Sequence, residues 1–330
     1  MSVVDASASE TPSAPDPALE TAGRPSAAPE GPRRRRPVST GAVIRRGIGS
    51  ALLILAACLL GFAAWVAFLS KLHYDRAQHH AYDALRIALA QGTAPVGPTQ
   101  VVNPNENNSP SELVPSGTPV AVLSIPRMGL RAVVLQGTTG SVLENGPGHL
   151  RDTQMPGQVG VSVIMGRRAA YGGPFSKLST LNPGDPITVV TGQTVAQYQV
   201  LDLRRGGDPS PPPPATGHSR LILVTADGPP FAPSGMLYVD ADLTSKPQPA
   251  PPMVLSAANL APSENAMGTE TQAWLPIVFW GQLLLLFTLA LTLLWNYWGK
   301  WQTWVIAVPI LGYLVLSVAD EVTRLLPNLT

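Results

Sequence analysis

Three long apolar segments set the layout of this chain. Residues 47–69 carry no charged side chain. A helix of that length spans roughly 35 Å at about 1.5 Å per residue, which is enough to cross a bilayer. Two further apolar segments lie at residues 273–296 and 301–319, and the second contains Pro309, which membrane helices tolerate. The pattern predicts one N-terminal and two C-terminal transmembrane helices.

Residues 119–244, between these segments, show the pattern of a β domain. Short apolar runs alternate there with Gly- and Pro-rich turns that recur about every ten residues, which is typical of a small barrel. The runs that predict strands lie at residues 120–123, 133–135, 161–164, 187–190, 198–201, 221–225 and 237–239. We therefore expect a mainly β, barrel-like domain in this region.

The segments that connect these parts differ in composition. Residues 1–46 are rich in Ala, Pro, Ser and Glu without an apolar period, and we expect a disordered basic tail there. Residues 70–118 predict a juxtamembrane helix followed by a flexible linker. Residues 245–272 form a Pro-rich linker, and residues 320–330 form a short tail after the last apolar segment.

The distribution of charge indicates how the chain is oriented in a membrane. Arginines at residues 33–36, together with Arg45 and Arg46, precede the first apolar segment. Because such residues stay in the cytoplasm, we expect a cytoplasmic N-terminus and an exported, extracytoplasmic β domain. Lys300 lies between the last two segments, which agrees with this orientation and places the tail after Asp320 outside. A nucleic-acid-binding arm is the alternative, but the formal net charge is only +1 and no binding fold accompanies the arginines.

Two further features point to chemistry outside the β domain. Cys58, the only cysteine of the chain, ends a lipobox-like sequence at residues 55–58. The apolar run continues to Leu69, so we favour an uncleaved signal anchor and keep lipidation as the alternative. His73 and His80 lie about two helical turns apart, a spacing that would suit a metal pair, but solvated histidines are commoner and we expect no metal site.

Several short motifs of the β domain resemble, in the same order, those of sortases, the cysteine transpeptidases of Gram-positive envelopes. They are Ile-Pro-Arg-Met-Gly-Leu at residues 125–130, Gly-Pro-Gly-His at 146–149, Pro-Gly-Gln-Val-Gly at 156–160, Tyr-Gly-Gly-Pro-Phe at 171–175 and Pro-Gly-Asp at 183–185. Each motif alone is a weak signal, but their common order is a strong one. The resemblance implies a sortase-like closed β-barrel.

The catalytic positions of the family are all replaced in this sequence. Residues 221–227 resemble the strand that carries the nucleophilic Cys, and the Cys position is Ala226. Residues 164–168 resemble the motif that carries the catalytic His, which falls on Arg167. The family's Arg falls on Met236, and no Arg or Lys lies between Arg220 and Lys246. The resemblance therefore implies a pseudoenzyme without a cofactor.

Three hypotheses for function follow from this pattern. The first is a non-catalytic sortase-like protein whose groove binds a peptide or a glycolipid. The residues that would line its groove are Arg167, Arg168, Tyr171, Phe175, Thr225 and Asp227. The paired arginines would suit a carboxylate or phosphate, and the simpler alternative is that all of these are ordinary surface residues.

The other two hypotheses assign different roles to the same chain. One is a divergent transpeptidase or hydrolase with a new nucleophile such as Thr225, for which no base is visible in the sequence. The other is a structural spacer within an envelope assembly. In every case the two C-terminal helices exceed what a membrane anchor needs. We therefore expect them to pack against another membrane protein, with Gln282 as a candidate contact.

Overall fold

The computed structural model describes residue 56 and residues 59–101, 111–297 and 300–330. The predicted basic tail, most of the first half of transmembrane segment 47–69 and Cys58 lie outside the described residues. All structural statements below concern the described part of the chain.

The chain enters the described region as a helix. A π-helical turn, Trp65–Leu69, leads directly into α1, Ser70–Gln91. Helix α1 ends at Gly92, which adopts a left-handed conformation with φ of 67°, as glycine does readily at helix C-termini. Two short strands, β1 (Thr99–Val101) and β2 (Ser111–Leu113), pair antiparallel in the segment that the sequence predicted as a flexible linker. Ala94, before β1, and Val114, after β2, are both buried against the rest of the protein.

Eight strands close into a barrel, which confirms the predicted closed β-barrel and adds one strand, β5 (Gly148–His149), to the seven that the sequence predicted. Their order around the barrel is β10-β8-β7-β3-β4-β5-β6-β9. Their bounds are β3 Pro119–Ile125, β4 Leu130–Gln136, β5 Gly148–His149, β6 Gly160–Met165, β7 Pro186–Thr191, β8 Val195–Arg205, β9 Ser219–Asp227 and β10 Gly235–Leu243. The pairs β4–β5 and β6–β9 are parallel, and the other neighbours are antiparallel. Closure leaves the sheet without a free edge except where a strand is short.

The two faces of strand β9 explain its nearly continuous apolar sequence. Leu221 and Leu223 point into the barrel core. Because side chains alternate along a strand, Ile222, Val224 and Ala226 point outward. They meet a second apolar cluster there instead of solvent. A strand that is covered on both faces needs no polar side.

Helix α1 covers the outside of β3 and β4. Its residues Ala81 and Leu85 pack on Val122 and Val133. Gln78 adds a hydrogen bond: its side-chain nitrogen, Nε2, donates to the main-chain oxygen of Asn145 at 2.8 Å. The juxtamembrane helix is therefore part of the barrel domain. A short helix, α2 (Gly140–Leu143), follows β4.

The last part of the chain forms a helical hairpin of α3, Trp274–Tyr297, and α4, Lys300–Leu325. Two stretches are long and apolar enough to cross a membrane, Thr271–Leu291 and Val305–Leu325. The rings of Trp280 and Tyr313 meet edge to face across the hairpin at 6.0 Å. Many large apolar side chains point away from the protein, including Leu285, Leu286 and Leu289, as expected for a lipid-facing surface.

The segment before the hairpin lies along the barrel. Gln248 accepts a hydrogen bond from the amide of Val159, and Thr138 donates its hydroxyl to the main-chain oxygen of Glu264. Helix α4 extends past the predicted boundary at residue 319 and ends at Leu325. The residues after it turn back onto the barrel, beside α2 and the ends of β6 and β9.

Candidate functional site

The three positions that correspond to the family's catalytic residues converge at one end of the barrel. Met236 pairs directly with Ala226 across the antiparallel β9–β10 ladder. Met165, the last residue of β6, pairs with Val224 on β9. The next amide, that of Gly166, donates to the oxygen of Val224 at 3.0 Å. Continuing this register brings Arg167 beside Ala226.

The predicted groove residues differ in whether their side chains point into the barrel or outward from it. Ala226 points outward, whereas Thr225 is fully buried and donates its hydroxyl to the main-chain oxygen of Gly166 at 2.8 Å. Phe175 belongs to the barrel core. Thr225 and Phe175 therefore do not line a groove above Ala226. The alternative that the predicted residues are ordinary surface residues is wrong for these two, and also for Arg167 and Tyr171, because none of the four is exposed.

Arg167 is a buried cation held by several groups. Its Nη2 donates to the main-chain oxygen of Gly140 at 3.0 Å and lies 3.8 Å from Oε1 of Glu144. Its Nη1 donates to the main-chain oxygen of Thr330 at 3.4 Å, and its guanidinium lies 5.0 Å from the centre of the Tyr171 ring. Burial lowers the pKa of Arg167, and the Glu144 carboxylate opposes that effect. Protein groups thus bind both terminal nitrogens of the guanidinium, whereas its Nε is buried without a hydrogen-bond partner.

Glu144, at the end of α2, is the carboxyl group of this cluster. Its Oε1 lies 3.3 Å from Nε of Arg324 on α4. Burial raises the pKa of Glu144 to about 7, although Arg324 and Arg167 act in the opposite direction. Desolvation thus outweighs the attraction of two nearby cations. Glu144 is poised to gain or lose a proton near neutral pH.

Tyr171 connects the barrel to α4. Its backbone is left-handed, with φ of 51°, which is uncommon for a residue with a bulky side chain. Its hydroxyl donates to Oδ1 of Asp320 at 3.0 Å and lies 2.8 Å from the hydroxyl of Thr323. The ring of His73, on α1, meets it edge-on at 5.8 Å. Burial raises the pKa of Tyr171 further above its ordinary value.

Arg168 and Asp227 form the partly exposed rim of the site. Arg168 donates from Nη1 to the main-chain oxygen of Ala226 at 3.1 Å. The same nitrogen lies 4.0 Å from Oδ1 of Asp227, and Oδ2 of Asp227 lies 3.1 Å from Nε of Arg205. Of the predicted groove residues, these two alone keep partial access to solvent, with side chains 21% and 22% exposed.

The space outside Ala226 is filled by residues 326–330. Leu329 is fully buried and packs with Leu143, Met165, Val224 and Ala226. The sequence predicted a short extracytoplasmic tail at residues 320–330 and gave no indication that Glu144 belongs to the site. One available signal was the set of polar residues at 320–324 directly after an apolar helix, which would suit contact with protein rather than lipid.

No histidine of the barrel lies at the site. His149 is buried, with its ring nitrogens 3.0 Å from Oε1 of Gln136 and 2.9 Å from the main-chain oxygen of Gln154. Burial lowers the pKa of His149 to about 4. His218 precedes the opposite end of β9, roughly 25 Å along the strand from Ala226. Within the described residues, no group of His, Cys, Asp and Glu side chains is arranged to hold a metal ion.

Comparison with known proteins assigns the barrel to a family. The family model "Sortase domain" matches residues 123–243, from within β3 to the end of β10. A sortase E variant from Streptomyces avermitilis is 30% identical, with 46% of this chain and 100% of that chain covered and a TM-score of 0.34. A Clostridium perfringens sortase D5 transpeptidase is 26% identical, with 40% and 82% covered and a TM-score of 0.35. No curated protein matches the chain.

The barrel is thus a sortase domain, combined in one chain with two helices that are apolar enough to span a membrane. The chain belongs to the sortase family.

Proposed function

We propose that this protein is a catalytically inactive sortase-family membrane protein that binds or scaffolds other components of the cell envelope. The observation that carries the proposal is the side chain at position 226. Ala226 lies on β9, opposite Met236 and beside Arg167, and its methyl group cannot attack a carbonyl carbon.

The neighbouring replacements supply none of the other catalytic roles. Arg167 stays charged at working pH and cannot shuttle a proton as a histidine does, and both of its terminal nitrogens, Nη1 and Nη2, already donate to main-chain carbonyls. Met236 has a thioether, which donates no hydrogen bond to a developing oxyanion. These properties support a pseudoenzyme.

Catalysis by a new nucleophile is the competing function. Thr225 is the candidate, but it faces the barrel interior on the opposite side of β9 from Ala226. Its hydroxyl donates to a main-chain carbonyl, not to a base. A hydroxyl nucleophile needs a base within hydrogen-bond reach, so the surroundings of Thr225 favour the inactive protein.

The arrangement of the helices supports a multi-pass membrane protein. The start of α3 and the end of α4 both lie at the barrel, so the barrel occupies one side of any bilayer that the hairpin crosses. The arginines before residue 47 favour the extracytoplasmic side for the barrel. Gln282 on α3 is exposed among apolar neighbours, and such a side chain in a membrane favours contact with another helix.

Peptide turnover by the full-length protein tests the proposal. Purified protein in detergent is incubated with a peptide library and an amine acceptor, and products of acyl transfer or hydrolysis are measured by mass spectrometry. We expect no turnover by the unmodified chain. Turnover that disappears in Thr225→Val and persists in the matched exposed variant Thr244→Val would overturn the proposal.

Photo-crosslinking in native membranes tests the scaffolding role. Crosslinking residues are placed at Gln282 in the hairpin and at Asp227 on the rim, because Tyr171 is too deeply buried to report on a partner. We expect one specific envelope protein to be captured at Gln282. Capture of no protein at either position would contradict the scaffolding role without bearing on catalysis.

A further inference from the structure

The surface above Ala226 is covered by the protein's own chain. Leu329, which follows α4 by a few residues, is fully buried in the apolar cluster that contains Ala226 and Met165. Asn328 and Thr330, on either side of it, are buried as well, with exposures of 0% and 2%. A short polar tail in solvent would show none of this burial. Residues 326–330 therefore behave as a docked peptide.

Asn328 provides the most specific contacts of this peptide. Its amide nitrogen, Nδ2, lies 2.8 Å from the main-chain oxygen of Thr138 and 2.9 Å from that of Asn265. A third carbonyl, that of Ser263, lies at 3.3 Å. The main-chain amide of Asn328 donates to the oxygen of Gly268 at 2.9 Å. Several carbonyls thus converge on the NH2 group of Asn328, which disfavours an anion at this position, whereas the Asn328 oxygen, Oδ1, is buried without a hydrogen-bond partner.

The two arginines of the site contact the same peptide through its main chain. The amide of Arg168 donates to the oxygen of Leu329 at 2.9 Å. The side chain of Arg167 donates to the oxygen of Thr330 at 3.4 Å. These bonds do not depend on the sequence of the peptide, whereas the Asn328 and Leu329 contacts do. We call the site that residues 326–330 occupy the cleft; Thr138 and residues 263–265 bind the NH2 group of Asn328 there, and the apolar cluster around Met165 and Ala226 takes the branched side chain of Leu329.

The polar end of α4 joins the docked peptide to the hairpin. Arg324 pairs with Glu144 at 3.3 Å, and Asp320 accepts from the Tyr171 hydroxyl at 3.0 Å. The peptide follows these residues with almost no intervening chain. A tethered ligand has an effective concentration of roughly millimolar or more, so a free peptide of equal affinity competes poorly with it.

We propose that residues 326–330 are a built-in peptide ligand of the cleft, which latches the α3–α4 hairpin to the barrel and excludes other chain segments from the surface above Ala226. The inference stands whether or not the protein is catalytic. It implies that displacement of α4 in the membrane and opening of the cleft are one event, because the same residues make both sets of contacts.

Accessibility of a thiol at position 226 tests the latch. Cys58, the only cysteine, is replaced by serine, and Ala226→Cys places a thiol beneath Leu329. A maleimide then labels the purified full-length protein in detergent. We expect slow labelling, which Asn328→Ala accelerates at least tenfold. Asn259→Ala, at an exposed asparagine, should leave the rate unchanged.

A synthetic peptide with the sequence of residues 322–330 adds a second arm. In the Asn328→Ala protein, this peptide should restore slow labelling, and a peptide with alanine at the positions of Asn328 and Leu329 should not. Labelling that is equally slow with and without Asn328→Ala would overturn the proposal, as would acceleration that the peptide does not reverse at a concentration of several millimolar, roughly the effective concentration of the tethered segment.

Hydrogen exchange tests the latch in the unmodified protein, where no substitution can perturb the fold. The main-chain amide of Arg168 has the Leu329 oxygen as its partner, so its protection reports the docked peptide directly. We expect it to exchange at least 100 times more slowly than the amide of Gly207 in an exposed turn. Exchange as fast as that of Gly207 would mean that the segment is not docked.

Discussion

At the scale of single residues, Glu144 is the group whose charge state matters most to the site. Its pKa in the folded protein is about 7, compared with an ordinary value of 4.5. Between these values the folded state binds more protons than the unfolded state. Stability therefore falls as pH rises from about 4.5 to 7, and the dependence ends above pH 7. This difference in pKa corresponds to a change in the free energy of unfolding on the order of 3 kcal/mol.

Replacement of Glu144 by glutamine should remove this dependence. Glu144→Gln keeps the shape of the side chain and stays neutral at every pH, so the melting temperatures of the full-length protein at pH 5.5 and pH 7.5 should differ less than in the unmodified chain. Thermal unfolding in detergent measures both. Glu112→Gln, at an exposed position, is the control. A difference that Glu144→Gln leaves intact would assign the titration to another group.

Gly166 is required by a close contact beside the site. A Cβ atom at this position would lie 2.6 Å from a ring carbon of Phe175, which is closer than van der Waals contact permits. The aromatic ring lies in the barrel core and has little room to move. The glycine lets β6 end with its backbone against this ring.

Gly166→Ala should destabilise the barrel by about 1–3 kcal/mol, as overpacking of a close-packed interior does. Gly235→Ala is a matched control, because no atom lies within 4 Å of a Cβ at that position. Near-UV circular dichroism follows the unfolding of both variants. Equal melting temperatures for the two would show that the Phe175 ring can move aside.

At the scale of secondary structure, α1 completes an edge that the barrel leaves open. Strand β5 has only two residues and pairs with Leu135 and Gln136 of β4. The amide of Val133, earlier on β4, instead donates to Oε1 of Gln78 at 2.7 Å. Nε2 of Gln78 donates to the main-chain oxygen of Val133 at 3.2 Å. One side chain of α1 thus replaces a missing strand neighbour.

Gln78→Ala should destabilise the domain by about 1–3 kcal/mol, because it leaves buried main-chain groups of β4 without partners. Gln91→Ala, at the exposed end of the same helix, tests whether any loss of a glutamine has this effect. Thermal unfolding compares the two variants, and hydrogen exchange at the Val133 amide locates the change. Unaltered protection of that amide would show that its protection does not depend on the Gln78 side chain.

The elements that the sequence predicted are those with a local pattern. The apolar runs at residues 187–190 and 198–201 fall within β7 and β8, since alternation along a strand is visible in a few residues. Strand β5 was not predicted, because two residues are too few to show an alternating pattern.

The site positions Arg167, Ala226 and Met236 were predicted from motifs in a common order, and the strand register brings them together. The partners of Arg167 could not be predicted, because Thr330 lies far away in sequence and no local pattern records such contacts.

At the scale of the whole molecule, the latch makes barrel stability depend on the helical hairpin. The chain offers separate intrinsic probes for these two parts. Its seven tryptophans all lie in or beside the apolar helical segments, so tryptophan fluorescence reports the helices. Of the seven tyrosines, five lie in the barrel or on α1, which packs against it, and two lie in the hairpin. Near-UV circular dichroism of tyrosine therefore reports chiefly the packing of the barrel.

Leu329→Asp should release the docked segment, because a charge placed in the apolar cluster around Ala226 and Val224 is more stable in water. The barrel can expel the tail instead of burying the charge, so the loss is limited to the free energy of the latch, about 2–3 kcal/mol for one buried leucine and its hydrogen bonds. For a domain of this size that loss lowers the melting temperature by roughly 5–10 °C. Leu113→Asp, at an exposed leucine of β2, should change the melting temperature little.

The tyrosine transition should move to lower temperature in Leu329→Asp while the tryptophan transition stays in place, because the helices no longer unfold with the barrel. If both transitions shift together, the hairpin is held to the barrel by contacts other than residues 326–330.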